Sequence, residues 1–302
     1  MILIISQNNE ITTTEVIKWL LKLGKSFIRV HEDEIFDIKI NEKRIYIESP
    51  RNCFFIDEIT SVWYRRGGLK FNRLHYKNEA IHLNMNEYQH WLEDYVIKVL
   101  ESKKHINKQS NSDINKLIVL EEAQKAGLDI PPYFLADNTN DVILKKTIIK
   151  TIGGNPRMEG ILKDSSGMMY TTVIKQNENE NENFFITFFQ EKIEKHFEIR
   201  SFYLNGKVWS IAIFSQNDDQ TKVDFRKYND EKPNRKVPYN LPKNIEQKIH
   251  QLMQSLDLNS GSLDFIKSDS QYYFLEVNSV GQFLGMSILC NYLLEKEIAE
   301  YL

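Results

Sequence analysis

The stretch from Gly261 to Asn278 constrains the fold more than any other part of the sequence. Gly261-Ser262-Leu263-Asp264-Phe265-Ile266 and Phe274-Leu275-Glu276-Val277-Asn278 both alternate between apolar and polar side chains. A period of two marks a β-strand with one face buried. Two such runs around Ser268-Asp269-Ser270 predict an antiparallel hairpin. Leu263, Phe265, Leu275 and Val277 make up its apolar face, and Asp264, Glu276 and Asn278 the other. An acidic face on a rigid, well-anchored hairpin is equipped to hold a hard cation through oxygen ligands. Magnesium takes such ligands and shares them with nucleotide phosphates. The demand on register is sharp. If Lys267 pairs with Gln271, Asp264 lies opposite Phe274 and diagonal to Glu276, roughly 7–8 Å away between Cα atoms. A four-residue turn would put Asp264 on the wrong face.

Basic residues at element ends complement those acids. Lys150 closes a β-rich strand over 147–150, just before Gly153-Gly154. A lysine there reaches a phosphate, and glycines let the backbone come close. GxxxxGK[ST] is absent, so this is not a Walker loop. Lys116 sits in the first turns of a helix expected over 111–127. Arg200 follows Glu198 on a strand, and Arg226 follows Asp224-Phe225. Guanidinium forks suit phosphate or an acyl-phosphate. Gln190-Glu191-Lys192-Ile193 ends an apolar strand over 184–189; either an adenine lies against its backbone groups or the strand simply leaves the sheet there, and spacing does not separate the two.

The rest of the chain reads as mixed α/β. Ile2 to Ser6 is a buried-type strand, and Thr12-Thr13-Thr14-Glu15 offers a helix cap. Gly24 stops that helix, and a second strand follows over 26–30, an order that favours a parallel sheet. A hairpin turning at Asn41-Glu42 is expected over 39–47. Ser61 to Arg66 is a strand ending in Arg65 and Arg66. A long helix covers 77–104, a hairpin 160–174, strands 198–205 and 208–215, and a helix 243–256. One closing helix is expected over 285–302. Asn177 to Asn183 is a polar low-complexity run, read as a solvated loop tip.

The bulk properties exclude several classes. Of 302 residues, 41% are hydrophobic and the formal net charge is −3. That balance gives no basic surface for nucleic acid or membrane. No apolar run approaches the ~20 residues of a membrane span. Cys53 and Cys290 are isolated, which speaks against zinc and disulfides and for a reducing cytoplasm. Met1 to Ile5 lacks a basic flank and reads as a strand, not a signal peptide.

The order Lys116, Lys150, Gln190-Glu191-Lys192-Ile193, Glu198-Ile199-Arg200, Asp264, Glu276-Val277-Asn278 resembles the ATP-grasp superfamily. More narrowly, Val62-Trp63-Tyr64-Arg65-Arg66, Asn115-Lys116, Asp224-Phe225-Arg226, Leu241-Pro242 and Gly281-Gln282-Phe283 resemble the graspetide synthetases, peptide macrocyclases of the grasp-with-spasm type. The resemblance spans nearly the whole chain, and Ser279 stands where many ATP-grasp enzymes carry proline. It implies an ATP-grasp fold in three parts: an N-terminal α/β domain (1–109), a central subdomain (110–192) and a C-terminal subdomain with the metal site (193–302). It implies ATP and Mg2+ as cofactors. Lys116 and Lys150 would contact phosphates, Glu191 and Ile193 adenine, and Gln190 and Glu198 would also belong to the nucleotide site. Asp264, Glu276 and Asn278 would bind magnesium, and Arg200 and Arg226 would face the γ-phosphate or acyl-phosphate. Arg65 and Arg66 would face acidic side chains of a ribosomal precursor peptide. The implied reaction joins Glu or Asp side chains to Ser, Thr or Lys as ω-ester or ω-amide rings, in a cytoplasmic homodimer. Two rivals share these residues: an ATP-grasp ligase of free amino acids or of a protein tail, and a non-catalytic peptide-binding relative.

Overall fold

The computed structural model describes residues 1–302 except 113, 151, 153–156, 163–164, 169–170, 175–180, 219–220, 225–226, 228, 230, 232 and 270. Gly153-Gly154, Phe225-Arg226 and the run 177–180 therefore lie outside the described residues. The chain divides into two compact units. Unit 1 comprises residues 1–112, 258–260 and 283–302; unit 2 comprises 113–257 and 261–282.

Unit 1 opens with β1 (Ile2–Ser6), α1 (Ile11–Lys22) and β2 (Phe27–His31). All five β1 residues are buried, as befits a parallel strand covered on both faces. Glu10, not the threonine run, caps α1: its Oε2 accepts from the Thr13 N–H at 2.8 Å. A carboxylate there satisfies an orphan N–H and meets the positive end of the helix dipole. Then come β3 (Ile35–Asn41), β4 (Arg44–Glu48), β5 (Cys53–Phe55), β6 (Ser61–Tyr64), β7 (Lys70–Phe71), α2 (Glu79–Glu101) and β8 (Lys104–Ile106). The parallel sheet runs β2-β1-β6-β8, as the strand–helix–strand order predicts. A second sheet runs β5-β4-β3-β7. Its hairpin turns at Glu42-Lys43, one residue later than expected, with both residues at positive φ. That turn keeps the right-handed strand twist. Leu3, Val30, Phe36, Ile47, Val62 and Leu100 centre the core.

Unit 2 begins with α3 (Lys116–Lys125), β9 (Tyr133–Asn138) and β10 (Thr147–Ile149). α3 starts five residues later than the sequence pattern implies, because the Asn115 side chain accepts from the Leu117 N–H at 2.9 Å and caps the helix there. Lys116 is thus its first residue. β11 (Arg157–Leu162) and β12 (Ser165–Met168) form a separate hairpin. β13 (Thr172–Val173) and β14 (Asn183–Glu191) complete a sheet ordered β13-β10-β14-β9. β15 (Phe197–Leu204), β16 (Lys207–Phe214), β17 (Arg235–Tyr239), α4 (Lys243–Ser255), β18 (Ser260–Ser268) and β19 (Gln271–Asn278) follow. Their antiparallel sheet runs β17-β16-β15-β18-β19, and α3 packs on β19 and α4. The chain then returns to unit 1 as two helices, α5 (Leu284–Cys290) and α6 (Leu294–Tyr301), where the sequence pattern implies one. Asn291 and Leu293, each at φ 53°, break the run with left-handed turns.

The β18–β19 hairpin departs from the expected register. Ser268 pairs with Gln271, so the loop is two residues, and Phe265 pairs with Phe274. A regular ladder from that turn would set Asp264 opposite Leu275, on the wrong face. A bulge at Leu275 adds one residue to β19, and Asp264 then pairs directly with Glu276. Phe274, fully buried against Phe265, takes the core position expected of Leu275.

Candidate active site

A cleft enclosing about 940 Å3, open mouth included, lies within unit 2. That size suits a nucleotide-sized ligand. Three elements build its walls. The ends of β10 and β14 bring Ile148, Lys150 and Gln190, followed by the 191–195 segment; β15 brings Glu198. The β18–β19 hairpin brings Asp264, Ile266, Leu275 and Glu276, and the segment after β16 brings Gln216, Lys222 and Asp224.

The acidic pair is neutralised in place. Asp264 and Glu276 face each other across the hairpin, and like charges opposite one another repel. Each carries its own cation. Arg200 Nε and Nη2 donate to the two Asp264 oxygens, both at 2.8 Å, in a bidentate fork. Lys116 Nζ, on the first residue of α3, lies 3.1 Å from Glu276 Oε2 where α3 packs against β19. Asn278 is exposed, and its Oδ1 accepts from the Val280 N–H at 3.1 Å, leaving the second lone pair of that oxygen for a cation.

Glu198 is buried, 5% exposed, and ion-pairs with Lys195, which also donates to the Val223 carbonyl at 3.1 Å. Burial pushes its carboxyl up to about 7, against the pull of Lys195 and with a smaller push from Asp264 and Asp224. Asp224, also buried, accepts from the Thr171 N–H at 3.1 Å and ties the two sides of the cleft. Burial, then the charge of Arg200, lowers the Lys236 pKa on β17. Lys195 escaped the sequence reading, since the non-regular segment before β15 carries no periodicity that would flag it.

Three polar atoms in this cleft lack partners among the described residues. Glu198 Oε2 has none, and neither end of the Gln190 carboxamide has one, though Gln190 is only 1% exposed. Leaving such groups unpaired costs about 1–3 kcal/mol each. A cleft with an unfilled acceptor, an unfilled amide, apolar walls and lysines fits a nucleotide. The adjacent backbone agrees: the Glu191 N–H donates to the Pro132 carbonyl at 2.8 Å, and the Ile193 N–H makes no hydrogen bond among the described residues.

The structure thus gathers Lys150, Gln190, Glu191, Ile193, Glu198, Asp264 and Glu276 around one cleft, with Arg200 and Lys116 bonded to its acids. Arg226 lies outside the described residues. Arg65 and Arg66 belong to unit 1. Arg65 is 3% exposed, with Nη2 at 2.8 Å and Nε at 3.0 Å from Glu10 Oε1, and its guanidinium stands 5.7 Å from the Phe283 ring centroid. Burial pulls the Arg65 pKa down and Glu10 opposes it. Arg66 is partly exposed, its N–H donating to the Ile5 carbonyl at 3.2 Å.

No protein-family model matches the chain, and no curated protein matches it. Solved structures do. The macrocyclase MdnC of Microcystis aeruginosa, bound to its precursor peptide MdnA, is 23% identical with a TM-score of 0.75, covering 99% of this chain and 98% of that one. A RiPP-associated ATP-grasp ligase of Chryseobacterium gregarium, in complex with ADP and leader and core peptides, is 23% identical with a TM-score of 0.75, covering 99% and 94%. D-alanine–D-alanine ligase of Bacillus anthracis is 14% identical with a TM-score of 0.53, covering 99% and 95%. Over nearly its whole length, then, this chain has the ATP-grasp fold.

Proposed function

We propose that this chain is an ATP- and Mg2+-dependent peptide ligase that activates Glu or Asp side chains of a ribosomal precursor peptide and closes ω-ester or ω-amide rings. The observation that carries the reading is the cleft of unit 2, where the Gln190 amide and one oxygen of the Glu198 carboxylate, without partners among the described residues, stand beside an acidic pair already balanced by Arg200 and Lys116. Similar folds solved with ADP and precursor peptides support the same substrates.

In this reading Lys116 and Lys150 hold phosphates, and the Ile193 N–H and Glu191 carbonyl hold adenine. Glu198 Oε2 accepts from a ribose hydroxyl. Asp264, Glu276 and Asn278 hold magnesium, which supplies charge neutralisation between phosphates when bound. Lys116 and Arg200 then trade their carboxylate partners for phosphate oxygens, a swap that conserves charge. Arg200, with Arg226, faces the transferring phosphoryl group. The substrate carboxylate attacks the γ-phosphorus and ADP leaves; a Ser or Thr hydroxyl or a Lys amine then attacks the acyl carbon and phosphate leaves. The protein's part is position and electrostatics. Arg66 is the guanidinium offered to an acidic peptide side chain, and Arg65, held by Glu10, fixes the strand end that carries it. The divisions 1–109, 110–192 and 193–302 are the working parts of this proposal. A homodimer joined through the apolar exposed side of α2, where Leu83, Tyr88 and Trp91 are exposed, completes it, in a cytoplasm that keeps Cys53 and Cys290 as thiols.

ADP release tests the reading. Release that requires both Mg2+ and an acidic precursor peptide is expected. Peptide-independent release stimulated by free amino acids would replace it with the amino-acid ligase.

A further inference from the structure

We infer that Lys116 and Arg200 act as tethered stand-ins for the divalent cation, closing the acidic pair to metal until a nucleotide draws both side chains away. The inference rests on the nucleotide reading of the cleft and adds an order of binding to it. The bulge in β19 sets Asp264 directly opposite Glu276, where two carboxylates on one face repel. Two cations reach them from other elements of unit 2, Arg200 on β15 and Lys116 at the start of α3. The Arg200 fork occupies both Asp264 oxygens at 2.8 Å, and Lys116 Nζ stands 3.1 Å from Glu276 Oε2. All four side chains are less than a quarter exposed, so water and salt screen these pairs less than they screen a surface bridge.

Two carboxylates held against two cations present no net charge to a free metal ion. Such an ion has to displace a guanidinium fork and an ammonium together, and both displaced cations then repel it at close range. Magnesium is a poor competitor for that task. It gives up its waters reluctantly and relies on phosphate oxygens as well as on one or two carboxylates. Phosphates reverse the balance, because their oxygens are acceptors for a lysine and for a guanidinium fork. Lys116 can change partner by rotating its flexible four-carbon stem, with no movement of α3. With both cations on phosphate, the acidic pair regains its charge and its oxygens. Nucleotide and metal therefore favour each other, a coupling that works equally in both directions.

Titration of the full chain with Mn2+, followed by electron paramagnetic resonance, tests this. Without nucleotide, Lys116→Met is expected to bind Mn2+ about tenfold more tightly than wild type, the worth of one close charge pair. By calorimetry without metal, the same variant should bind ADP more weakly than wild type. A residue that merely supports the fold would not move the two affinities in opposite directions. Arg200→Met, an independent variant on another element, should also tighten Mn2+ binding. Unchanged far-ultraviolet circular dichroism qualifies each variant as folded. Mn2+ affinity equal to or below that of wild type in either folded variant overturns the stand-in role of that cation. Adding ADP to wild type should create a protein-bound Mn2+ population at a concentration where Mn2+ alone gives none. If ADP creates none, the nucleotide reading of the cleft falls as well.

Discussion

At the residue scale, Glu198 couples burial to charge in a way that pH exposes. Its carboxyl titrates near 7 in the folded chain, above the ordinary 4.5. Below about 4.5 folded and unfolded states both hold the proton. Between 4.5 and 7 the unfolded state releases it and the folded state keeps it, so this group's contribution falls with rising pH and levels off above 7. Urea unfolding across that range, without metal or nucleotide, should show wild type losing up to ~3 kcal/mol relative to Glu198→Gln. A flat difference would mean that Lys195 already pays for the buried charge. The residue type and position of Glu198 were legible in the sequence; its partner was not, because Lys195 reaches it from irregular backbone. Arg65 shows the reverse. The resemblance implies a substrate contact for it, and only the fold reveals Glu10 beneath it, 55 residues away in sequence.

At the scale of elements, the hairpin carrying Asp264 and Glu276 shows what alternation can and cannot tell. The two strands and their pairing are readable from period-two patterning. The bulge is not, since Leu275 is apolar and fits a core face as well as a cleft wall. The sequence therefore implies a diagonal pair, and the structure has a direct one. The break between α5 and α6 divides the same way. Asn291 is a residue that tolerates left-handed φ and marks a helix end; Leu293 is not, and takes φ 53° only because the fold requires it. Leu293 is 41% exposed, so it gives up little packing. Leu293→Gly should raise the unfolding free energy by about 0.5–1 kcal/mol, read as a higher urea midpoint at unchanged slope. A lower midpoint would show that its partial burial outweighs the strain.

At the scale of the whole molecule, the parallel sheet of unit 1 and the antiparallel sheets of unit 2 follow from patterns visible in the sequence, while the return of residues 283–302 to unit 1 does not, being a matter of long-range packing. Among the described residues no helix is long and apolar enough to cross a membrane. Surface chemistry bears on assembly. On α2, Tyr88, Trp91 and Tyr95 are 68%, 60% and 53% exposed, unusual for aromatics of 150–250 Å2 each. If this side joins two copies, Trp91→Glu should yield monomers by light scattering with its far-ultraviolet circular dichroism unchanged. A dimer surviving that change would place the interface elsewhere.

In the proposed function, the cleft of unit 2 closes rings in a peptide, using the acidic pair on its hairpin. The direct test is the intact mass of a precursor peptide carrying Glu or Asp with Ser, Thr or Lys, coexpressed with wild type and with Glu276→Ala. Losses of about 18 Da per ring, one water for each bond formed by carboxylate activation, are expected with wild type and none with Glu276→Ala. A gain in mass matching an added amino acid, or an unchanged mass with wild type, would contradict it.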